Sequence, residues 1–137
     1  MLKIGGILNI VIALAHLIGL VWAEQMFDKT GAGAGMRELA EMHHMVPYLL
    51  TVFVAIIFAA FGLYGLLANS KTRKLPFLKI GVFTVAFVYL FRAIGEQSYN
   101  IFQGTTTTAE TIQSVVALTI GLLYLLGGLQ KWKLKRA

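Results

Sequence analysis

Apolar and polar residues along this chain are sorted into blocks rather than interleaved. Apolar runs at about 4–23, 46–68, 76–94 and 112–129 alternate with polar connectors. Coiled as α-helix at about 1.5 Å per residue, each run is close to the ~30 Å thickness of a bilayer's hydrocarbon core. Lipid offers backbone N–H and C=O groups no partner, so a spanning segment must close its own hydrogen-bond ladder, which a helix does. The pattern therefore predicts an all-α integral membrane protein, a single domain over 1–137 folded as an antiparallel four-helix bundle. The first run has the outline of a secretory signal, with Lys3 ahead of it and Ala23 at its end. Its length argues for a retained span, because a signal's apolar core is only about 7–15 residues.

The connectors are sorted by charge. Lys3, Lys71, Arg73, Lys74, Lys79, Lys131, Lys133, Lys135 and Arg136 fall on one side, and Glu24, Asp28, Glu38, Glu41, Glu96 and Glu110 on the other. Lys and Arg near span ends stay in the cytoplasm, so both termini are expected there, with the acidic connectors outside. A hydrophobic share of 58% against 13% charged residues agrees, since soluble domains average near half apolar and about a quarter charged. The net charge of +6 would suit a nucleic-acid binder, but bases that flank apolar spans are accounted for by topology and anionic headgroups. No nucleic-acid partner is expected. The absence of cysteine excludes disulfides, thiolate metal sites, iron–sulfur clusters and a cysteine nucleophile.

Helix ends carry local signals. Pro47 sits where a first-turn proline is tolerated, and Asn69-Ser70 with Leu75-Pro76 bracket a short basic turn. Thr107 and Glu110 form a Thr-x-x-Glu capping box that opens the fourth span. In the long acidic connector, Gly31, Gly33 and Gly35 read as a flexible hinge, and 36–44 as a short interfacial helix with Met36, Leu39 and His43 on one face. Small residues mark the expected packing stripes: Ala15, Gly19 and Ala23; Ala55 and Ala59; Ala117 and Gly121. On the third span, Gly81, Val85, Tyr89, Arg92 and Glu96 share a face that is expected to turn its polar end into the bundle.

Candidate chemistry lies in the acidic half. A charge at the bilayer midplane costs at least about 2.5–3.5 kcal/mol, so it takes a partner or a function. Arg92 and Glu96 are one turn apart and can pair, either as an anion, proton or headgroup site or as a structural pair with Arg92 snorkelling outward. His16 lies about 12 Å deeper than Glu24 by helical rise. Tyr89 is expected near its level, giving either a neutral imidazole bonded to a tyrosine or carbonyl, or a proton carrier or axial ligand. Asn9 extends this polar line inward. Glu24 and Glu96 are placed to face each other across the outer opening.

Met42-His43-His44-Met45 has metal character, because thioether and imidazole suit copper, and Met26 and Met36 share its connector. Adjacent histidines point to different sides of a helix, which opposes a single site; the other reading is an amphipathic helix with methionines at headgroup level. Haem held between His16 and His43 or His44 is opposed by their difference in depth. Nucleotide-binding glycine loops, HExxH and Gly-x-Ser-x-Gly are missing.

Gly62-Leu63-Tyr64-Gly65-Leu66, then Arg73-Lys74-Leu75-Pro76-Phe77-Leu78 and Val88-Tyr89-Leu90-Phe91-Arg92, resembles a segment of small, uncharacterised four-helix bacterial membrane proteins. A Leu-Tyr segment, a basic-Leu-Pro-x-Leu turn and a Tyr-Leu-x-Arg end recur in them, and the outline is loosely similar to DoxX-like proteins. The resemblance covers the second and third spans. It implies a bacterial inner membrane and treats Tyr89 and Arg92 as a unit, but it carries no reaction.

The reading that results is a non-enzymatic inner-membrane protein without a cofactor. It is an accessory or interaction subunit whose outward pocket holds His16, Glu24, Tyr89, Arg92 and Glu96. Its expected partners are the lipid bilayer and another membrane protein or a second copy. One alternative is a dimeric small-solute or proton-coupled transporter with Glu96, Arg92 and His16 at the interface. Another is copper or haem handling through Met42, His43, His44 and Met45, with His16 as a further ligand.

Overall fold

The computed structural model describes residues 1–71 and 75–133. Arg73, Lys74, Lys135 and Arg136, and with them part of the basic turn, lie outside the described residues. Helix α1 (Leu2–Gly19) passes through a 3₁₀ turn (Leu20–Trp22) into α2 (Ala23–Lys29). Helices α3 (Gly33–Met42), α4 (Val46–Leu67), α5 (Leu78–Gln103) and α6 (Thr108–Lys133) follow. The stretches Leu2–Lys29, Val46–Leu67, Leu78–Gln103 and Thr108–Lys133 are each long and apolar enough to cross a membrane. They form an all-helical bundle, and no strand occurs among the described residues. Val11, Phe53, Ile56, Phe87 and Phe91 are exposed on its flanks, a surface suited to hydrocarbon. The chain thus has the build of a multi-pass membrane protein in contact with the bilayer.

Helix α1 packs mainly on α4 and α5 mainly on α6; the two pairs meet along α1–α6 and α4–α5. At Gly6 the first pair comes closest: a Cβ there would lie 2.7 Å from the Leu66 backbone nitrogen and 2.8 Å from the Gly62 carbonyl oxygen. The buried face of α1 is Leu2, Gly5, Gly6, Asn9 and Ala13, not the stripe expected from Ala15, Gly19 and Ala23. Ala15 is exposed, and Gly19 is covered by Met26 rather than by another span. Small residues also occur on lipid-facing positions, so size alone did not identify the packed face. On α4, Ala55 is buried as expected while Ala59 is half-buried; on α6, Ala117 and Gly121 are buried as expected.

Two helices outrun their apolar runs. Helix α5 continues past 94 to Gln103, and α6 begins at Thr108, where the capping box places it, four residues before its apolar run. Hydropathy stops where polar residues begin, whereas the ladder continues until a cap ends it. Gly104, at φ 66°, supplies that cap for α5, with its N–H 3.2 Å from the Ile101 carbonyl and the Thr105 N–H 3.0 Å from that of Asn100. The capping box forms at α6: the Glu110 N–H donates to Thr107 Oγ1 at 3.2 Å and the Thr107 N–H to Glu110 Oε2 at 2.9 Å.

The acidic connector differs from its expected form. Gly31, at φ 80°, makes a tight turn, and Gly33 and Gly35 are already helical, so no glycine hinge results. Helix α3 ends at Met42, with His43 extended (φ −167°, ψ 134°), so His43 does not share a helical face with Met36 and Leu39. Arg37 Nη1 lies 2.7 Å from Asp28 Oδ1, joining α3 to α2. The charge sorting is less complete than the connectors suggest. Lys29, Arg37 and Arg92 accompany the carboxylates, two of them in ion pairs, while the connectors at the basic end contain no Asp or Glu.

Candidate functional site

Each spanning helix places one polar group in the middle of the bundle. The Tyr89 hydroxyl of α5 donates to Asn9 Oδ1 of α1 at 2.5 Å. Asn9 Nδ2 donates to the Tyr124 oxygen of α6 at 3.3 Å and to the Gly5 carbonyl at 3.0 Å. The Tyr124 hydroxyl then donates to the Phe61 carbonyl of α4 at 2.6 Å. The result is a directed hydrogen-bond chain, α5 to α1 to α6 to α4, in which Asn9 is fully buried. Room for the Tyr124 ring comes from glycines: a Cβ on Gly5 would meet its Cε2 at 2.6 Å, and one on Gly65 its hydroxyl at 2.5 Å. Sequence reasoning had Asn9 only as an extension of the His16 line and missed Tyr124. The available signal was Gly5 and Gly6 one turn before Asn9, which with His16 makes up the polar content of the first apolar run.

One turn towards the acidic end, Arg92 Nε pairs with Glu96 Oε2 at 2.9 Å, both side chains roughly half exposed at 46% and 38%. Arg92 is therefore not turned into the bundle as expected; the buried face of α5 is Val82, Val85, Ala86, Tyr89, Ala93 and Asn100. Arg92 lies at the border with α6, where Nη2 donates to Gln113 Oε1 at 3.3 Å. Gln113 in turn donates from Nε2 to the Thr30 carbonyl at 3.1 Å, tying the end of α2 to the cluster. Gln97 Oε1 and Asn100 Nδ2 are buried without a hydrogen-bond partner among the described residues. One is an acceptor and the other a donor, three residues apart on α5, so a single water could satisfy both.

His16 is half-buried. Its Nδ1 lies 2.8 Å from the Ile12 carbonyl, the backbone-bonded outcome. With that proton donated, a neutral ring keeps its lone pair on Nε2. The ring packs against Phe58 at 5.1 Å between centroids, and Phe58 against Tyr89 at 6.3 Å, so a phenylalanine separates His16 from the tyrosine expected beside it. Glu24 is exposed, and the partner of Glu96 is Arg92. The structure thus joins Arg92 and Glu96, gives Tyr89 to Asn9, and bonds His16 to the backbone of its own helix.

Met42, His43, His44 and Met45 are all exposed. Because the helix ends before His43, the two rings stack, with centroids 4.5 Å apart, instead of diverging. His43 Nδ1 accepts the Met45 N–H at 3.2 Å, which leaves the proton of a neutral ring on Nε2 in this arrangement. No group of three or more His, Cys, Asp or Glu side chains is arranged to hold a metal among the described residues. Met26 packs over Gly19, so the methionines of this connector do not act as one set. Comparison with family models, curated proteins and solved structures gives no match.

Proposed function

We propose that the chain is a non-enzymatic accessory subunit of a membrane complex, engaging its partner at the acidic end through Arg92, Glu96 and Gln113. The observation that carries this reading is how polar capacity is distributed. In the middle of the bundle the Tyr89–Asn9–Tyr124 chain ends on the Phe61 carbonyl and is consumed within the protein. At the acidic end the Arg92–Glu96 pair is half open, so its charged atoms stay within reach of a partner. Such an arrangement suits holding something at one end better than moving something across. The charge distribution favours both termini in the cytoplasm. The resemblance on the second and third spans favours a bacterial inner membrane and is in keeping with Tyr89 and Arg92 as neighbours on α5.

Extraction in a mild detergent tests the proposal. The wild-type chain should migrate within a larger assembly, and Arg92→Ala with Glu96→Gln should release it as a folded monomer. A wild-type chain that is monomeric under every gentle condition would overturn the reading. Proton movement in liposomes that Glu96→Gln abolishes would replace it with transport. Copper or haem retained by the pure protein and lost in His43→Ala with His44→Ala would replace it with metal or haem handling.

A further inference from the structure

At the basic end, the flank of α5 carries a shallow groove lined by Lys79, Ile80, Phe83, Thr84 and Phe87. Trp132 of α6 stands beside it, its ring 5.8 Å from that of Phe83; tryptophan at this depth is characteristic of the headgroup boundary. Among the threonines of the spanning helices, Thr84 and Thr108, the first residue of α6, make no side-chain hydrogen bond among the described residues. Thr51, Thr111 and Thr119 each donate to the carbonyl four residues back, which is how a hydroxyl in a membrane helix is ordinarily satisfied. Thr84 is exposed, and its hydroxyl has no hydrogen-bond partner among the described residues. Left so against hydrocarbon it would be costly.

We propose that this groove binds one anionic glycerophospholipid. The phosphate lies against Lys79, an ester carbonyl accepts the Thr84 hydroxyl, and an acyl chain runs over Ile80, Phe83 and Phe87. Helical rise puts Thr84 about 7.5 Å deeper than Lys79, the order in which phosphate and ester group follow one another into a leaflet. Charge complementarity selects this occupant. Lys3, Lys71, Lys79, Lys131 and Lys133 gather at this end with no carboxylate among them, so a parallel second copy would bring like charge to the same depth. The inference rests on the helices spanning a bilayer and not on the accessory role, so either can fail alone.

The test is lipid retention by the full chain, delipidated and then offered phosphatidylglycerol or phosphatidylcholine, read by native mass spectrometry. One phosphatidylglycerol per chain should be retained in preference to phosphatidylcholine. Lys79→Gln should weaken retention about fivefold, the weight of one lysine at an anionic surface. Thr84→Val, which keeps shape and charge, should weaken it too, while Lys71→Gln, at the same end but outside the groove lining, should weaken it less than Lys79→Gln; circular dichroism verifies that each variant is folded. Equal retention of the two lipids, an equal loss in Lys71→Gln, or an unaffected Thr84→Val would overturn the proposal. Displacement of the lipid by inorganic phosphate would reassign the groove to a free anion.

Discussion

Asn9 accepts from α5 and donates to α6, so removing it breaks two side-chain hydrogen bonds between helices at once. Such bonds are worth about 0.6 kcal/mol on average in a membrane protein and at most about 1.7, so Asn9→Leu, which keeps the branching but not the polar atoms, should destabilise by at least about 1 to 3 kcal/mol. Tyr89→Phe removes one of the two and leaves Asn9 Oδ1 buried without an acceptor's partner. It should cost about 0.6 to 1.7 kcal/mol. The informative quantity is the coupling between them. The Asn9→Leu, Tyr89→Phe and double variants, unfolded reversibly in mixed micelles, should give an interaction energy equal to the single bond they share. A coupling within about 0.3 kcal/mol of zero, or a Tyr89→Phe variant as stable as wild type, would refute the claim that this chain holds the two helix pairs together.

Gly6→Ala should be poorly tolerated, because its Cβ would meet the backbone of α4 at 2.7 and 2.8 Å, where nothing flexible can give; a cost of about 1–3 kcal/mol is expected in the same unfolding assay. Gly35→Ala, with nothing within 4 Å, should instead stabilise α3 by up to about 1 kcal/mol, seen as slower amide exchange there. Thr107→Ala should cost about 1 kcal/mol and speed exchange over the first turn of α6, whereas Glu110→Gln, which can still complete the box, should change little. Gly104→Ala should cost about 1 kcal/mol through its left-handed backbone and fray the end of α5.

Much of this architecture could be read from the chain because a bilayer imposes length and apolarity together. The four spans, Pro47 in the first turn of α4, the Thr107–Glu110 box and the Arg92–Glu96 pair are all local patterns, each within one helical turn or one apolar run. What the sequence did not disclose is tertiary. Gln113 reaches Arg92 from α6 and is itself held by the Thr30 carbonyl, and Tyr124 reaches Asn9 from α6. Tyr89 was rightly marked as interior, but its level on α5 does not select between Asn9 and His16; Phe58 does, by filling the space beside the imidazole. The connector misled for a different reason. Gly33 and Gly35 have low helix propensity, yet α3 begins at Gly33, packed against Asp28 too closely for any side chain. That early start is matched by an early stop, which left His43 and His44 free to stack.

The preference of α1 for α4 and of α5 for α6 divides the molecule into two hairpins, the second closed by a return of only a few residues. Spanning helices insert first and associate afterwards, so each hairpin has what it needs to form alone, and assembly is decided at the seam between them. A polypeptide severed between α4 and α5 would still contain both halves intact, with Asn9 on one and the two tyrosines on the other. Co-expressed as separate pieces, they would find each other by the same three residues.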